Sequence, residues 1–411
     1  MRILLASDHY PPFVGGAQRQ TKVLASELSA RGHEVSVATV WQDDLPARSD
    51  EDGVSVFRLG QLRTVRPVRG RARRRHQPPF ADPVTVRELG RVLDELRPDI
   101  VHAAGWFSYA CAAALRSRRI PLLVSARDYG FSCATATLVH DGEPCSGPSP
   151  LKCMSCAGDY YGVPRGWLAT AGVLGSRRML RNRIDGLHSI SGYVSEMSER
   201  DFLGANGPSA IEREIIPSFR VEDPPGEDRS ALATLPDRPF ILFVGALRRV
   251  KGVSVLLDAY ARLDSSRPPL VLLGTVESDT PRELPDGAVI VEQMAHWAVL
   301  ATWERSLFGV MPSLWPEPFG SVVHEAMSRG RAVIGTTPGG HADMIVPEQT
   351  GLLVKGGDVD GLSRAMARLL GDDAFREALG RRARERAELF AAATVVPRFE
   401  ALYERMLART A

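Results

Sequence analysis

Short apolar runs alternate with amphipathic stretches along nearly the whole chain. The amphipathic stretches AQRQTKVLASELSARG and PVTVRELGRVLDELRP carry apolar residues at helical spacing, and the runs between them are short enough to be buried strands. The apolar runs are RILLAS, EVSVATV, DIVHAA and PLLVSA in the first half and FILFVGA, LVLLGTV, AVIVEQ, FGVMPS, AVIGTT and GLLV in the second. Strands and helices that alternate in this way predict parallel sheets covered by helices on both faces.

Two domains are expected from the length and from one break in this pattern. The chain has 411 residues, more than one hydrophobic core usually holds. The break, VEDPPGEDRSALATLPDRP, is rich in proline and charge, which is typical of a linker, and we place the boundary near residues 217–238. We therefore predict an α/β fold with Rossmann-like domains at 1–216 and 217–390, and a C-terminal helix at 391–411 that packs back towards the first domain.

The composition adds one local feature to this picture. Hydrophobic residues make up 44% and charged residues 24%, and the net charge of +2 does not indicate a nucleic-acid-binding protein. Seven arginines nevertheless fall between Arg63 and Arg75, where they would attract an anionic acceptor or a membrane surface, or form a solvated loop. The chain has no apolar leader at its N-terminus, and no window approaches the roughly 18 apolar residues of a membrane span. We therefore expect a cytoplasmic protein with at most peripheral membrane contact.

Ligands of doubly wound sheets bind beyond the carboxyl ends of the strands, so the loops there are the first candidates. Gly15 and Gly16 follow the first strand, where paired glycines let backbone amides approach an anion, although they equally suit a tight turn. In the second half, Gly245 follows a strand, and Arg248 and Lys251 precede a helix. Two cations at a helix start predict a diphosphate site that works without a metal ion, with solvated surface charges as the alternative.

Two glutamates in PEPFGSVVHEAM suggest a second half of this site. Pro318 fits the first turn of a helix, so Glu317 is predicted in the preceding loop and Glu325 along the helix. The helical rise puts them up to about 12 Å apart. That separation suits the two ends of a nucleotide-sugar, one carboxylate accepting from sugar hydroxyls and the other from ribose hydroxyls.

Four cysteines, Cys133, Cys145, Cys153 and Cys156, lie in a stretch rich in proline and glycine that we interpret as an insertion at roughly residues 131–160. Four thiols, two of them spaced Cys-x-x-Cys, would close a tetrahedral metal site in a loop without a core of its own. A structural zinc is the first expectation and an iron–sulfur cluster the second. Four free thiols are a further alternative, and disulfides are disfavoured in a reducing compartment.

Four longer stretches resemble the retaining glycosyltransferases of family 4, which have the GT-B fold. HYPPFVGGAQRQTKVLASELSARGHEVSVAT looks like the family's first β-α-β unit and FVGALRRVKGVSVLLDAYARL like its diphosphate-binding unit. PSLWPEPFGSVVHEAMSRGRAVIGTTPGG looks like its Glu-x7-Glu signature, and TGLLV like the strand after it. The resemblance implies two doubly wound Rossmann-like domains that face each other across a cleft.

The resemblance also implies roles for the candidate residues. Arg248 and Lys251 would hold the donor diphosphate and stabilise the leaving group, and Glu325 would bind the ribose. Glu317 would orient the donor sugar together with the backbone amides of Phe319 and Gly320. Gly16 would close over the phosphates from the other domain. Gly15 and Gly245 are also expected in the donor site.

The expected reaction is a metal-independent, retaining transfer from a UDP-linked sugar to an unidentified acceptor that the N-terminal domain binds. Small molecules, lipid-linked intermediates and polysaccharides are all open as acceptors. No cofactor is expected for the chemistry and no nucleic-acid partner. A GT-B sugar-nucleotide epimerase, or a scaffold that uses the cysteine insertion, are the alternative functions.

Two positions depart from the family pattern. Where the family commonly shows His-Asp after the strand PLLVSA, this chain has Arg127 and Asp128, both expected near the donor. A guanidinium there would suit the carboxylate of a uronic-acid donor, and the alternative is that Arg127 pairs with Asp128 or another carboxylate. Asp343 stands where the family usually has glutamate.

Overall fold

The structure, a computed structural model, describes residues 1–8, 10–12, 16–42, 45–62, 77–204, 208, 210–220, 230–292 and 294–410. Its backbone contacts divide the chain into two compact units. Unit 1 consists of residues 1–138, 145–217 and 395–411, and unit 2 of residues 139–144 and 218–394.

The elements follow one another in a regular β/α order. In the first half they are β1 (Arg2–Ser7), α1 (Gly16–Ala30), β2 (Glu34–Val40), β3 (Arg48–Glu51), β4 (Val54–Leu59), α2 (Pro83–Leu96), β5 (Ile100–Ala104), α3 (Phe107–Ala114), β6 (Leu122–Ala126), β7 (Val139–His140), β8 (Glu143–Pro144), α4 (Pro150–Tyr161), α5 (Val163–Arg181), β9 (Gly186–Ser189), α6 (Gly192–Ser198) and β10 (Glu212–Ile215). In the second half they are β11 (Phe240–Val244), α7 (Val253–Ala261), β12 (Leu270–Leu273), β13 (Ala288–Val291), α8 (His296–Arg305), β14 (Ser306–Val310), α9 (Ser321–Ser328), β15 (Ala332–Thr337), α10 (His341–Met344), β16 (Leu352–Lys355), α11 (Val359–Gly371), α12 (Asp373–Ala387) and α13 (Ala392–Thr410).

Each unit is built on its own twisted sheet. The sheet of unit 1 has the order β10-β9-β6-β5-β1-β2-β4-β3, parallel except for the antiparallel β3–β4 pair at one edge. The sheet of unit 2 has the order β13-β12-β11-β14-β15-β16, and its five strand pairs are parallel. Both orders reverse direction beside the first strand of the unit, which is the doubly wound arrangement. The predicted fold class of two Rossmann-like domains is confirmed.

The apolar runs of the sequence form these strands because parallel strands are buried on both faces. β5 and β6 of unit 1 are buried at every residue, as is β12 of unit 2. Helix ends follow ordinary capping chemistry. At the start of α2, the Asp82 side chain accepts hydrogen bonds from the N–H groups of Val84 and Thr85, and Pro83 occupies the first helical position.

The cysteine-rich stretch differs from its prediction as a loop without a core. Residues Pro150–Tyr161 form α4, which packs as a helical hairpin with α5. A small cluster of Ala134, Ala157, Ala169 and Val173 is buried there. The sequence does not predict this helix because residues 144–150, just before it, are rich in proline and glycine, which are more common in loops.

The C-terminal helix α13 runs without a break through Pro397, and its residues 395–411 belong to unit 1. The Tyr403 hydroxyl lies 2.7 Å from Nδ1 of the buried His102. Within the described ranges, no helix is both long enough and apolar enough to span a bilayer.

Candidate functional site

The loop after β11 in unit 2 brings two cations to the start of a helix. Gly245 follows the strand, and its N–H donates to the Leu273 carbonyl on β12 at 2.9 Å. Arg248 is extended, a 3₁₀ turn covers Arg249–Lys251, and Gly252 then adopts a left-handed φ of 75° before α7 begins. Gly252 has no side chain to cap α7, so the first amides of the helix point into this loop.

Lys251 and Glu317 form the central pair of the site. Lys251 Nζ lies 3.0 Å from Glu317 Oε1 and 2.8 Å from Oε2, and 5.0 Å from the centre of the Trp315 ring. Glu317 Oε2 also accepts from Ser313 Oγ at 3.0 Å and from Trp315 Nε1 at 2.8 Å. Four hydrogen bonds hold a carboxylate that is only 8% exposed, so Glu317 fixes the position of the ammonium group.

The electrostatics of this pair keep Glu317 ionised. Burial alone would raise its pKa, but the charge of Lys251, the nearby His341 and hydrogen bonds from Lys251 and Trp315 outweigh burial and lower it. Burial lowers the pKa of His341 to about 4, although Glu317 opposes that shift. Nδ1 of His341 accepts from the Thr336 N–H at 3.1 Å, so the neutral ring carries its proton on Nε2.

Arg248 is held much less firmly than Lys251. Its Nε lies 3.9 Å from Asp279 Oδ1, and both side chains are 38% exposed. The other oxygen of Asp279 accepts from the Arg249 N–H at 3.1 Å. An exposed ion pair at that distance contributes little to stability, so the guanidinium can turn towards an anion at low cost.

The second carboxylate is on α9, which begins at Gly320. Gly320 has φ 88° and, like Gly252, provides no side-chain cap for its helix. Phe319 is 2% exposed and packs edge-on against Phe390 at 5.9 Å, so its amide belongs to a fixed part of the backbone. Glu325 is 12% exposed, and its Oε1 lies 3.2 Å from His296 Nε2 on α8. Unit 2 thus combines two helix starts without side-chain caps, two cations and two glutamates.

The remaining candidates lie in unit 1. Gly16 is the first residue of α1, and Arg127 donates to Thr21 on that helix at 2.9 Å. Burial lowers the pKa of Arg127 to about 10. Asp128 is exposed and accepts from the Gly130 N–H at 2.8 Å. Gly15 and the arginine run at 63–75 lie outside the described residues.

A carboxylate that sequence patterns missed lies beside this group. Asp8 follows β1 and accepts from the Trp106 N–H at 2.8 Å and the Phe107 N–H at 2.7 Å, at the start of α3. Burial raises its pKa to about 7, the negative charge of Asp128 adds to that shift, and the two N–H bonds oppose it. An aspartate after a strand is too common a pattern to single out without knowing what it contacts.

We expect Asp8→Asn to change how stability depends on pH. The protonated carboxyl is favoured in the folded chain, so its contribution is present in acid and is lost as the pH rises through about 7. Asparagine does not titrate, so the stability of the wild type relative to the variant should fall by at least about 1 kcal/mol between about pH 4 and pH 8. Denaturant unfolding of both proteins across this range measures the difference. Parallel stability curves would contradict the shifted pKa.

The structure does not support the predicted metal site at the cysteines and agrees with the alternative of free thiols. All five cysteines lie in described residues and are thiols rather than disulfides. Cys133 Sγ lies 3.2 Å from Thr135 Oγ1, Cys145 Sγ lies 3.6 Å from the Gly147 carbonyl, and Cys153 Sγ accepts from the Ser149 N–H at 3.4 Å.

These contacts do not make a metal site. Burial raises the pKa of Cys153, and it raises that of Cys156 to about 11, with the neighbouring thiols adding to both shifts. Among the described residues, no three His, Cys, Asp or Glu side chains are arranged to hold a metal ion, so neither the zinc nor the iron–sulfur cluster is supported.

Several residues that complete the unit 2 site were not predicted, namely Ser313, Trp315, His341, His296 and Asp279. His341 stands in GGHADM, and the two glycines before it carry the only available signal. Gly339 pairs with Glu317 as a parallel bridge, and the Gly340 N–H donates to the Glu317 carbonyl at 2.7 Å. A side chain at Gly340 would clash with the Pro318 carbonyl, so these glycines allow the close approach that positions Glu317.

Comparison with known proteins places this geometry in a family. Residues 226–386 match the model of the glycosyl transferases group 1, and residues 15–217 match that of the glycosyl transferase 4-like domain. Glycogen synthase of Mycobacterium tuberculosis is 27% identical over 422 aligned positions, which cover 94% of this chain and 90% of the synthase.

Solved structures agree on the fold. Sucrose-phosphate synthase of Thermosynechococcus elongatus superposes with a TM-score of 0.76 at 21% identity and full coverage of both chains. HepE of Anabaena, solved with UDP-glucose, has a TM-score of 0.67 at 14% identity, covering 98% of this chain and all of its own. With both halves matched by glycosyltransferase models and both units folded as in these enzymes, the chain belongs to the GT-B glycosyltransferases.

Proposed function

We propose that the protein transfers a sugar from a UDP-linked donor to an acceptor hydroxyl with retention of anomeric configuration, as a member of glycosyltransferase family 4. Unit 2 binds the donor in this proposal, and unit 1 contributes the acceptor side.

The observation that carries the proposal is the position of Lys251. Its ammonium group is held by Glu317, and Lys251 lies in the loop between β11 and α7 that also carries the half-exposed Arg248. Fixed cations and helix amides are what a departing diphosphate requires, because negative charge grows on its bridging oxygen as the sugar leaves. A preorganised cation stabilises that charge without reorganising during the reaction.

The other residues then have distinct roles. Arg248 leaves its weak contact with Asp279 to bind the diphosphate, and Glu325 accepts from ribose hydroxyls while His296 holds its other oxygen. Glu317 positions Lys251, and with the amides of Phe319 and Gly320 it orients the sugar. Glu317 is not the nucleophile in this scheme, because the four hydrogen bonds that it accepts make it a weak one. The leaving phosphate takes the acceptor proton.

The choice of UDP is supported by HepE, which binds UDP-glucose and shares the fold of this chain. The position of Arg127 keeps a uronic-acid donor within the proposal. Its guanidinium donates to Thr21 on α1, and a guanidinium is the group that would bind a uronate carboxylate with two parallel hydrogen bonds.

A donor screen tests the proposal. UDP-, GDP-, ADP- and TDP-sugars, with UDP-glucose and UDP-glucuronate compared directly, are added to the purified chain while thermal unfolding and slow donor hydrolysis are followed. A donor at a hundredfold excess over its Kd stabilises the folded state by about 2.7 kcal/mol. We expect this for UDP-sugars, and we expect Glu325→Ala to weaken binding roughly 10- to 100-fold, since hydrogen bonds to charged groups contribute about 1.5–3 kcal/mol.

Glu304→Ala is the matched control, because Glu304 is a 61% exposed glutamate on α8 and should bind donor normally. If UDP-sugars stabilise Glu325→Ala as much as the wild type, Glu325 does not bind the ribose. No stabilisation by any nucleotide-sugar, in protein shown to be folded, would refute donor binding. The configuration of the first transfer product, determined by proton NMR, decides between retention and inversion.

A further inference from the structure

The outer faces of α4 and α5 carry a concentration of exposed apolar side chains. Of the eleven large hydrophobic side chains that are exposed in the described part of the chain, six lie within this hairpin. These six, which we call the α4–α5 patch, are Leu151 (83% exposed), Tyr160 (49%), Val163 (54%), Trp167 (50%), Leu168 (52%) and Met179 (38%). Exposed apolar side chains concentrated in one part of a protein are typical of an interaction site.

The closest packing between the two helices uses small residues. Gly166 of α5 lies against the backbone of Ala157 and Gly158 on α4, so closely that any side chain there would clash. Ala169 and Val173 fill the small cluster behind it. The two helices are therefore joined through small inward residues. A helix packed in this way ordinarily presents polar residues outwards, whereas Trp167 and Leu168 face solvent.

The charges on the two helices are mainly positive. The 19 residues of α5 include four arginines and no aspartate or glutamate. Within residues 150–181, Asp159 is the single acidic residue, against those arginines and Lys152. Arg165 and Arg178 are both exposed. The partner of this surface must therefore accept apolar side chains and cations together.

We propose that the α4–α5 patch binds the surface of an anionic lipid bilayer. Trp167, Leu168 and Val163 would enter the boundary between headgroups and acyl chains, with Tyr160 at the same level, because aromatic rings with a polar edge favour this interface. The exposed Arg165 and Arg178 would lie at the lipid phosphates, where each cation adds to the attraction, whereas Arg177 and Arg181 donate to the Asp201 and Leu203 carbonyls. The helices would rest on the membrane and would not cross it.

Charge disfavours a second copy of the chain as the occupant. A twofold contact through this patch would place the same surface on both sides of the interface. Arg165 and Arg178 of one copy would then face those of the other, with Asp159 as the nearby counter-charge in the hairpin. A negatively charged bilayer has no such conflict.

Vesicle co-sedimentation of the full chain tests the proposal. The vesicles are phosphatidylcholine alone, or equal parts of phosphatidylcholine and phosphatidylglycerol, each at low and high salt. We expect binding to the anionic vesicles, weaker binding at high salt and little binding to phosphatidylcholine. The double variant Trp167→Ser/Leu168→Ser should bind the anionic vesicles at least about tenfold more weakly, because both substitutions remove inserted apolar surface.

Leu389→Ser is the matched control, since Leu389 has the same 52% exposure as Leu168 but lies outside the patch. It should bind like the wild type. Circular dichroism and thermal unfolding show whether each variant is folded. Three results would overturn the proposal: no binding to anionic vesicles, equal loss in Leu389→Ser, or a dimer of the wild type that the double variant disrupts while neither protein binds vesicles.

Discussion

Replacing Lys251 by methionine is expected to lower the turnover of the nucleotide-sugar by about 100- to 1,000-fold, the usual cost of losing one preorganised group that stabilises developing charge. Stability should fall as well, by roughly 2 kcal/mol. The reason is that Glu317 would keep a buried charge without its cation. The cost is lower than for a fully buried pair because the Lys251 side chain is 29% exposed.

A double variant separates the two effects. In Lys251→Met/Glu317→Gln the unpaired charge is gone, so most of the stability should return while turnover stays low. Recovery of turnover in the double variant would show that the lysine acts only through folding. Steady-state kinetics and denaturant unfolding are measured for the wild type, Lys251→Met, Glu317→Gln and the double variant, which together form a double-mutant cycle.

The pH dependence gives this cycle a second readout. The pKa of Glu317 is lowered in the folded chain, so the pair contributes stability above the ordinary carboxyl pKa and loses it as the pH falls. The difference in stability between the wild type and Lys251→Met should therefore shrink in acid. Arg368→Met is the control, because Arg368 and Glu348 form an exposed pair in the same unit. Its loss should cost at most about 1 kcal/mol and leave turnover unchanged.

The strands could be predicted from the sequence because a parallel strand buried on both faces is a short, mainly apolar run. RILLAS and EVSVATV coincide with β1 and β2. The edge strand β3, RSDE, has no such pattern, since its residues are exposed or half-buried. It exists because β4 offers a free edge for antiparallel pairing, and a local pattern does not contain that information.

The site was accessible from the sequence only in part. Glycines and cations after a strand are local signals, and they identify the loop that holds Lys251. The contact between Lys251 and Glu317 spans 66 residues and depends on β11 and β14 being neighbours in the sheet. Asp8 likewise binds the Trp106 and Phe107 amides across 98 and 99 residues. Pairings at such separations follow from strand order.

At the cysteines, a local sequence pattern predicts a metal site that the described residues do not support. Cys153 and Cys156 lie on α4, and Cys153 accepts from the Ser149 N–H just before the helix. Their spacing puts both side chains on one face of that helix. The spacing does not determine whether Cys133 and Cys145, which come from outside the helix, complete a set of four ligands.

Gly252→Ala is expected to destabilise the protein more than any other single substitution in the loop between β11 and α7. Gly252 has φ 75°, a conformation that costs an alanine about 1–2 kcal/mol. Its new methyl group would also clash with the Pro312 carbonyl, which is backbone and cannot turn aside. Relieving that clash should cost about 1–3 kcal/mol more. Thermal and denaturant unfolding measure the total.

Comparison with Gly53→Ala separates the cost of the clash from the cost of the backbone conformation. Gly53, between β3 and β4, has a φ of 79° but nothing within 4 Å of an added methyl group, so it carries the backbone cost alone. The damage at Gly252 should also reach the donor site. The Val250 carbonyl accepts from the Leu314 N–H at 2.9 Å, and this contact ties the turn of Lys251 to the loop that leads to Glu317.

A methyl group at Gly252 would push these two loops apart and lengthen the Lys251–Glu317 contact. We therefore expect Gly252→Ala to lose the stabilisation by UDP-sugars, and Gly53→Ala to keep it. A Gly252→Ala protein that is as stable as Gly53→Ala and still responds to donor would show that the two loops can separate freely. In that case the close packing of the loops would not be what fixes the ammonium group, and its position would depend on the four hydrogen bonds to Glu317 alone.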